Sequence, residues 1–388
     1  MSVNHNASAL EAIIQQRIDE AGGWIPFEAF MRAALYEPGL GYYESSHVFG
    51  EQGDFVTGSD MGAWLAMGFA DLIEWGVHDL GSPAEWSLVE QGGGTGKLFS
   101  TVLKILLDRG IRPARTIAID ASLEMRSRQQ SLFAAQQLEV ESFATVEEAG
   151  EIENCMMFCN ELPDAFPVRC FSWKDGAPYE RGVAHSHGRF GWQDATMKMS
   201  VSMEVDQEIV SAWPDGYVSE WNPDLRTWQK KVSKMIRRGY LFCVDYGYSQ
   251  QEYYRPQRVE GTLLGHMGHK VIEDVLQQPG KCDITAHVDF TSLRRIGDDM
   301  GLLGCCFMSQ GAWLAQSPSI QRRIESLAVE GSVESVQELA HAKRMLMPFG
   351  MGESFKLLIQ SCHHKRSVPD YLSHFDRMRD LRVARGVS

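Results

Sequence analysis

The residues between 86 and 120 could bind a ligand that needs both bare backbone and carboxylates. The stretch WSLVEQGGGTGKLFSTVLKIL, residues 86–106, places a run of glycines between a short apolar run and an apparent helix. Glu90 ends the apolar run, and a second run, ARTIAID, ends in Asp120. Glycine lets the backbone approach a ligand closely, and carboxylates accept hydrogen bonds from amino and hydroxyl groups. The pattern therefore predicts a ligand that carries an amino group and a ribose.

The spacing of the glycines separates three classes of nucleotide-binding turn. A P-loop needs Ser or Thr after its lysine, and Leu follows Lys97 here. A dinucleotide turn that begins at Gly92 would need a third glycine where Lys97 stands. An acidic-x-Gly-x-Gly-x-Gly pattern does fit, and it is typical of turns that bind S-adenosylmethionine (SAM); its residues are Glu90, Gly92, Gly94 and Gly96. Asp120 is then expected to bind both ribose hydroxyls, and a helix-entry loop without a ligand is the alternative interpretation.

Candidate catalytic residues follow two further apolar runs. Asn160, Glu161 and Asp164 come directly after NCMMFC, and Asp245 lies in GYLFCVDYGY. Ligands of open α/β sheets bind beyond the carboxyl ends of the strands, so we expect these side chains at the reaction centre, with Asn160 also reaching the cofactor. If the methyl acceptor is a guanidinium group, carboxylates of this kind would hold it. Helix capping by Glu161 and Asp164, and a strand-end turn at Asp245, are the alternatives.

Composition excludes several other classes of site and partner. His287 and Asp289 are too few ligands for a metal site, so we predict no bound metal. The formal charge of −14 argues against nucleic acid as a partner. No apolar stretch approaches the length of a membrane span. The eight cysteines are scattered without a Cys-x-x-Cys pair, and the first residues lack the features of a signal or transit peptide, so we predict a cytoplasmic protein with reduced thiols.

The order of the elements predicts an α/β fold. Strands and helices alternate from 86 to 162, which indicates a parallel, Rossmann-like sheet covered on both faces. Turn residues then recur every few positions, which indicates antiparallel hairpins inserted into that sheet. We divide the chain into five parts. They are an N-terminal helical and lid region (1–80), the first half of the SAM-binding core (81–166), a β-hairpin and helix insertion (167–235), the remainder of the core with substrate-facing elements (236–362) and a polar tail (363–388).

Several segments together resemble one family, the MidA-like, NDUFAF7-type methyltransferases. The resemblance is carried, in the family's order, by FEAFMRAALYEPGLGYY, FGEQGDFVTGSDM, LVEQGGGTGKL, CNELPDAFPVRCF, FCVDYG, GTLLGHMGHKV, DITAHVDF and MGESFKLLI. It implies a class I methyltransferase sheet with SAM as cofactor. Mitochondrial members of the family act on an arginine of a respiratory complex I subunit during assembly. Gly53 and Asp54, in the Gly-rich loop ahead of the sheet, are expected to cover the cofactor.

The sequence therefore predicts a SAM-dependent methyltransferase that modifies an arginine side chain of a partner protein. Two alternatives stay open. One is a methyltransferase of the same fold that acts on a small molecule or another amine. The other is a non-catalytic assembly factor that binds SAM without turnover. A homodimer is compatible with each of them.

Overall fold

The computed structural model describes residues 3–44, 59–198, 204–267 and 270–382. None of the helices in these ranges is long and apolar enough to cross a membrane. The helices are α1 (Val3–Glu20), α2 (Phe27–Tyr36), α3 (Ser59–Asp79), α4 (Lys97–Asp108), α5 (Leu123–Ala135), α6 (Val146–Ala149), α7 (Gln207–Val210), α8 (Asp224–Met235), α9 (Gln250–Tyr253), α10 (Phe290–Met300), α11 (Gln310–Gln316), α12 (Pro318–Glu330), α13 (Val333–Leu346) and α14 (Met351–Ser354). Short 3-10 helices span Tyr42–Glu44, Pro163–Ala165, Ser373–Phe375 and Met378–Leu381.

The strands form three sheets. They are β1 (Trp24–Pro26), β2 (Ser87–Gln91), β3 (Arg115–Ile119), β4 (Glu141–Phe143), β5 (Cys155–Asn160), β6 (Arg169–Lys174), β7 (Ala177–Ser186), β8 (Arg189–Lys198), β9 (Val218–Trp221), β10 (Gly239–Tyr248), β11 (Leu264–Met267), β12 (Lys270–Ile272), β13 (Asp283–Thr285), β14 (Val288–Asp289), β15 (Leu302–Ser309) and β16 (Phe355–Cys362).

The largest sheet carries the site. Its eight strands include the path β15-β16-β10-β5-β2-β3-β4, and β14 pairs with the end of β10. From β10 to β4 the neighbours on this path are parallel, whereas β16 runs antiparallel to β10 and β15. Strands β5 and β16 are apolar along most of their length because helices cover both faces of the sheet. The predicted α/β, Rossmann-like fold class is confirmed.

Two separate cores flank this sheet. On one face, α3 and α4 pack together with the C-terminal helices around buried aromatic side chains, among them Trp64, Phe69 and Trp313. On the other face, α8 and α10 pack around Trp228 and Phe290. The cores fix the directions of the central strands, and therefore the positions of the residues at their carboxyl ends.

The second sheet is antiparallel and has five strands, in the order β1-β7-β6-β9 with β8 paired to β7. The hairpins predicted after residue 166 correspond to β6, β7 and β8. Strand β1 belongs to the N-terminal region, so that region shares a sheet with the predicted 167–235 insertion. Helices α1 and α2 pack on this sheet, and α2 also contacts β13 of the three-stranded sheet β12-β11-β13. The five-part division of the chain stays a prediction.

The expectation of a polar tail is wrong for the residues that the structure describes there. Residues 363–382 do not form a polar tail, because Leu372 and Leu381 are fully buried and Arg377 donates its backbone N–H to Phe307 at 2.7 Å. Helix α8 ends at Met235, and Gly239 begins β10, where a Cβ atom would lie 1.9 Å from the carbonyl oxygen of Cys155 on the neighbouring strand.

Candidate active site

The glycine turn wraps around a buried carboxylate. It follows β2, and α4 begins directly after it at Lys97. A Cβ atom on Gly93 would lie 2.0 Å from Oε2 of Glu90, so the bare backbone of Gly93 passes close to that side chain. The predicted cofactor glycines share positive φ angles, which other residues rarely adopt; they are Gly92 at 73°, Gly94 at 51° and Gly96 at 80°. The sequence thus folds here into a narrow turn whose backbone is bare.

Glu90 and Asp120 lie beside this turn, as predicted from their positions after neighbouring strands. Glu90 is 2% exposed, and burial, followed by the nearby charge of Asp120, raises its pKa to about 8. Its Oε2 atom is buried without a hydrogen-bond partner. Burial also raises the pKa of Asp120, to about 6, against the lowering effect of hydrogen bonds from Ser122 and Gln129. An orphaned carboxylate oxygen next to bare backbone fits a ligand with amino or hydroxyl donors, which SAM carries.

Gln129 is a further residue of this site, and the sequence did not reveal it. Its side-chain amide donates to the carbonyl of Gly94 at 2.9 Å and to Oδ2 of Asp120 at 3.2 Å. Asp120 also accepts a hydrogen bond from the backbone N–H of Ser122 at 3.0 Å, and Ser122 caps α5. Gln129 therefore ties the glycine turn to the Asp120 carboxylate. Its position on the inner face of α5 was the only sign in the sequence that Gln129 belongs to the site. A single buried glutamine forms no motif that would reveal such a role.

The predicted catalytic residues come together at the carboxyl ends of β5 and β10. Asn160 is the last residue of β5 and donates to Oε1 of Glu161 at 3.0 Å. Glu161 has a φ angle of 53°, which is uncommon for a residue other than glycine. Asp164 lies in the 3-10 helix Pro163–Ala165, and its backbone N–H donates to Oδ2 of Asp245 at 3.1 Å. Strand β10 continues beyond Asp245 to Tyr248.

These carboxylates repel one another in a buried space. Burial raises the pKa of Glu161, and burial together with neighbouring carboxylates raises the pKa values of Asp164 and Asp245 well above the usual range. Oδ1 of Asp164 and Oδ1 of Asn160 are buried without a partner. Within the ranges that the structure describes, no lysine or arginine forms an ion pair with Glu161, Asp164 or Asp245. A buried acidic group without a counter-charge favours binding of a cation.

Aromatic side chains from the N-terminal region and from β10 and β16 of the large sheet line this group of carboxylates. The hydroxyl of Tyr36 donates to the carbonyl of Ala165 at 2.8 Å, and the rings of Tyr36 and Tyr43 lie 5.5 Å apart. The ring of Tyr246 lies 3.8 Å from that of Phe355. Burial and the site carboxylates raise the pKa values of Tyr36 and Tyr246, so both keep their hydroxyl protons at neutral pH. These rings therefore lie beside the acidic group as neutral side chains.

The remaining predicted residues have simpler positions. Asp289 caps α10, since its Oδ1 accepts hydrogen bonds from the backbone N–H groups of Thr291 and Ser292. His287 stacks on Tyr246, and burial lowers the pKa of its imidazole to about 4. Gly53 and Asp54 lie outside the described residues, so their predicted contact with the cofactor stays a prediction.

Comparisons with known proteins agree with this geometry. A family model described as S-adenosyl-L-methionine-dependent methyltransferase matches residues 70–305. A crystal structure from Burkholderia thailandensis, solved with bound S-adenosyl-homocysteine, is 29% identical with a TM-score of 0.86, and the match covers 96% of this chain and 97% of that one. A native crystal structure from the same organism is 28% identical with a TM-score of 0.84, and the match covers 96% of each chain.

Curated relatives confirm the predicted resemblance and correct the predicted location. The protein arginine methyltransferase NDUFAF7 homolog of Drosophila melanogaster is 26% identical over 374 residues, which are 87% of this chain and 81% of the relative. The human NDUFAF7 protein is 25% identical over 375 residues, which are 88% and 81%. Both are named as mitochondrial proteins, and they contradict the prediction of a cytoplasmic protein. Together with the family match over most of its length, these likenesses show that the chain belongs to the S-adenosyl-L-methionine-dependent methyltransferase family and is an enzyme with SAM as its cofactor.

Proposed function

We propose that this enzyme methylates an arginine side chain of a partner protein. The relatives named as protein arginine methyltransferases support this substrate class. The observation that carries the proposal is a group of three carboxylates next to the glycine turn, the half-buried Glu161 and the buried Asp164 and Asp245, which form no ion pair with a lysine or arginine among the described residues. A guanidinium group keeps its charge at every physiological pH and has planar donors that match carboxylates.

The residues divide into a cofactor side and an acceptor side. On the cofactor side, Glu90 and Asp120 would bind the amino group and the ribose, and the bare turn would let the ligand lie against the backbone. SAM, when bound, supplies an electrophilic methyl group. On the acceptor side, Glu161 and Asp164 would hold the guanidinium and orient one nitrogen toward the cofactor. Positioning of this kind can supply about 7–11 kcal/mol of the barrier.

The carboxylates would also accept the proton that the reaction releases. A guanidinium nitrogen that gains a methyl group loses one proton, and the methylated product keeps its single positive charge. Glu161 has a pKa raised by burial, which makes it a better proton acceptor than an ordinary solvent-exposed glutamate. The proton would then pass to solvent when the product leaves.

The test is to identify the amino acid that receives the methyl group. The protein would be incubated with radiolabelled SAM and an extract of cells that lack it, and the labelled proteins would be hydrolysed to amino acids. We expect label in methylarginine, and much less label with Glu161→Gln. Label confined to methyllysine or to the small-molecule fraction would contradict the proposal, and the latter result would favour a small-molecule substrate.

A further inference from the structure

Asp283 is a buried carboxylate that reaches the acceptor side of the site from a different sheet. It is the first residue of β13 in the three-stranded sheet and is 1% exposed. Directly after that strand, the backbone N–H of Ala286 donates to the carbonyl of Asp164 at 3.0 Å. The segment that begins with Asp283 is thus joined directly to the 3-10 helix that carries Asp164.

The electrostatics place Asp283 among the acceptor carboxylates. Its charge is one of the causes that raise the pKa of Asp164, and it also raises the pKa values of Tyr36 and Tyr246. The contacts agree with this placement. The hydroxyl of Tyr43 donates to Asp283, the ring of Tyr43 lies 5.5 Å from that of Tyr36, and the hydroxyl of Tyr36 donates to the carbonyl of Ala165, the residue after Asp164.

The unpartnered oxygen of Asp164 is an independent sign of a ligand in this space. Asp164 is 3% exposed, and its buried Oδ1 atom has no hydrogen-bond partner among the residues that the structure describes. Buried polar atoms in proteins are nearly always hydrogen-bonded, so an orphaned carboxylate oxygen indicates a donor that comes with the ligand.

Tyr43 holds Asp283 in place. Its hydroxyl donates to Oδ1 of Asp283 at 2.7 Å, and burial and this carboxylate raise the pKa of Tyr43 well above its usual value. The phenol therefore remains a donor. The carbonyl of Tyr43 accepts a hydrogen bond from Oγ of Ser122 at 2.9 Å, on the cofactor side. Tyr43 thus contacts Ser122, which follows Asp120 on the cofactor side, and Asp283 on the acceptor side.

We propose that Asp283 is a second binding carboxylate for the acceptor cation, opposite Glu161 and Asp164, and that Tyr43 is its positioning residue. This proposal rests on the proposed function and names a further residue that would recognise the guanidinium group. The planar guanidinium has five donors and can hydrogen-bond to carboxylates on two sides at once. An ammonium group is a compact charge that gains less from two separated carboxylates. The site would therefore distinguish arginine from lysine.

The experiment measures binding of small probes to the full chain saturated with S-adenosyl-homocysteine. The probes are N-acetylarginine methylamide and the corresponding lysine and citrulline compounds, followed by ligand-observed NMR titration. We expect the parent to bind the arginine probe better than the other two. Asp283→Asn should weaken arginine binding about ten- to hundredfold, the effect of losing a hydrogen bond to a charged group. Glu273→Gln is the matched control, because Glu273 is exposed and directly follows β12 of the same sheet.

Tyr43→Phe tests the positioning role separately. Alone it should weaken arginine binding severalfold, and in the Asp283→Asn background it should cause no further loss, because it acts through that carboxylate. Affinity for S-adenosyl-homocysteine should stay unchanged in each variant, which shows that the protein is folded. Equal losses from Tyr43→Phe in both backgrounds would overturn the positioning role.

The outcomes separate this proposal from the proposed function. If the parent prefers the arginine probe and Asp283→Asn binds it equally well, Asp283 is not a binding carboxylate, and arginine methylation stands. If the parent does not prefer arginine to lysine and citrulline, the arginine assignment itself fails. If Asp283→Asn loses affinity for S-adenosyl-homocysteine as well, Tyr43→Phe decides the question, since it leaves the carboxylate in place.

Discussion

At the scale of single residues, the site keeps groups that are unfavourable in a folded protein without a ligand. Glu161 has a left-handed backbone conformation, and its backbone N–H donates to the carbonyl of Val244 on β10 at 3.0 Å. A strained residue persists when its surroundings hold it firmly, and such residues concentrate at functional sites. Glu90 and Asp164 each have a buried oxygen without a partner. Bound cofactor and acceptor would satisfy these atoms, so the same groups that lower stability would increase affinity.

Asp120→Ala should weaken cofactor binding without unfolding the protein. The side chain accepts hydrogen bonds from Ser122 and Gln129 and would also accept the ribose hydroxyls. Loss of hydrogen bonds to a charged group corresponds to about 1.5–3 kcal/mol of binding free energy. Calorimetric titration with S-adenosyl-homocysteine would measure this, with Asp108→Ala on the exposed end of α4 as the control. Unchanged affinity in a folded Asp120→Ala protein would exclude Asp120 as the ribose ligand.

Glu161→Gln should separate cofactor binding from catalysis. The substitution keeps the shape of the side chain and removes the charge that would hold the guanidinium and accept its proton. We expect S-adenosyl-homocysteine affinity close to that of the parent, and methyl transfer slower by roughly 100-fold or more. Glu153→Gln, an exposed site before the start of β5, serves as the control. Methyl transfer at the parental rate would show that Glu161 does not hold the acceptor.

At the scale of elements, chain order predicted the cofactor half of the site better than the acceptor half. Glu90, Asp120 and Asn160 follow successive parallel strands, and parallel strands present their carboxyl ends on one edge, so their proximity could be deduced. Asp283 and Tyr43 come from a small sheet and from the N-terminal region. Their approach depends on how separate elements pack, which no local spacing encodes. Apolar residues of the C-terminal region, such as Leu372, were likewise too sparse to indicate packing.

Gln129→Leu should disconnect α5 from the glycine turn. The leucine retains apolar packing but cannot donate to the carbonyl of Gly94 or to Asp120. We expect weaker binding of S-adenosyl-homocysteine by about tenfold, since two hydrogen bonds are lost, one of them to a charged group. Gln130→Leu changes the exposed neighbour on the same helix and should have no effect. An equal loss with both substitutions would attribute the effect to α5 as a whole instead of to the Gln129 amide.

At the scale of the whole molecule, three sheets meet around one reaction centre. The large sheet provides Glu90, Asp120, Glu161 and Asp245, and the three-stranded sheet provides Asp283. Helix α2 packs on the five-stranded sheet, and Tyr36 at its end hydrogen-bonds to Ala165. On the proposed function, substrate choice would depend on elements outside the parallel core that holds the glycine turn.

The buried carboxylates should make the ligand-free protein less stable as the pH rises through neutrality. An acid whose pKa is raised by folding binds more protons in the folded state than in the unfolded one, so stability falls as pH rises toward the folded value. For Glu90 this loss extends from its ordinary value of 4.5 up to about 8. His287 acts in the opposite direction only between its folded value of about 4 and its ordinary value of 6.5. Between about pH 6.5 and pH 8, therefore, the melting temperature of the ligand-free protein should fall.

Glu90→Gln provides the decisive comparison for this pH dependence. The amide keeps the shape of the side chain and cannot titrate, so the fall in melting temperature over the same pH range should be smaller, with Asp164 and Asp245 responsible for what remains. Scanning calorimetry at constant ionic strength would measure both proteins, because screening of the net negative charge would otherwise vary. A parental melting temperature that rises between these two pH values would contradict the prediction. An identical fall in both proteins would mean that Glu90 does not contribute, and the effect would then come from the acceptor carboxylates alone. Glu90 would in that case be ionised over this pH range.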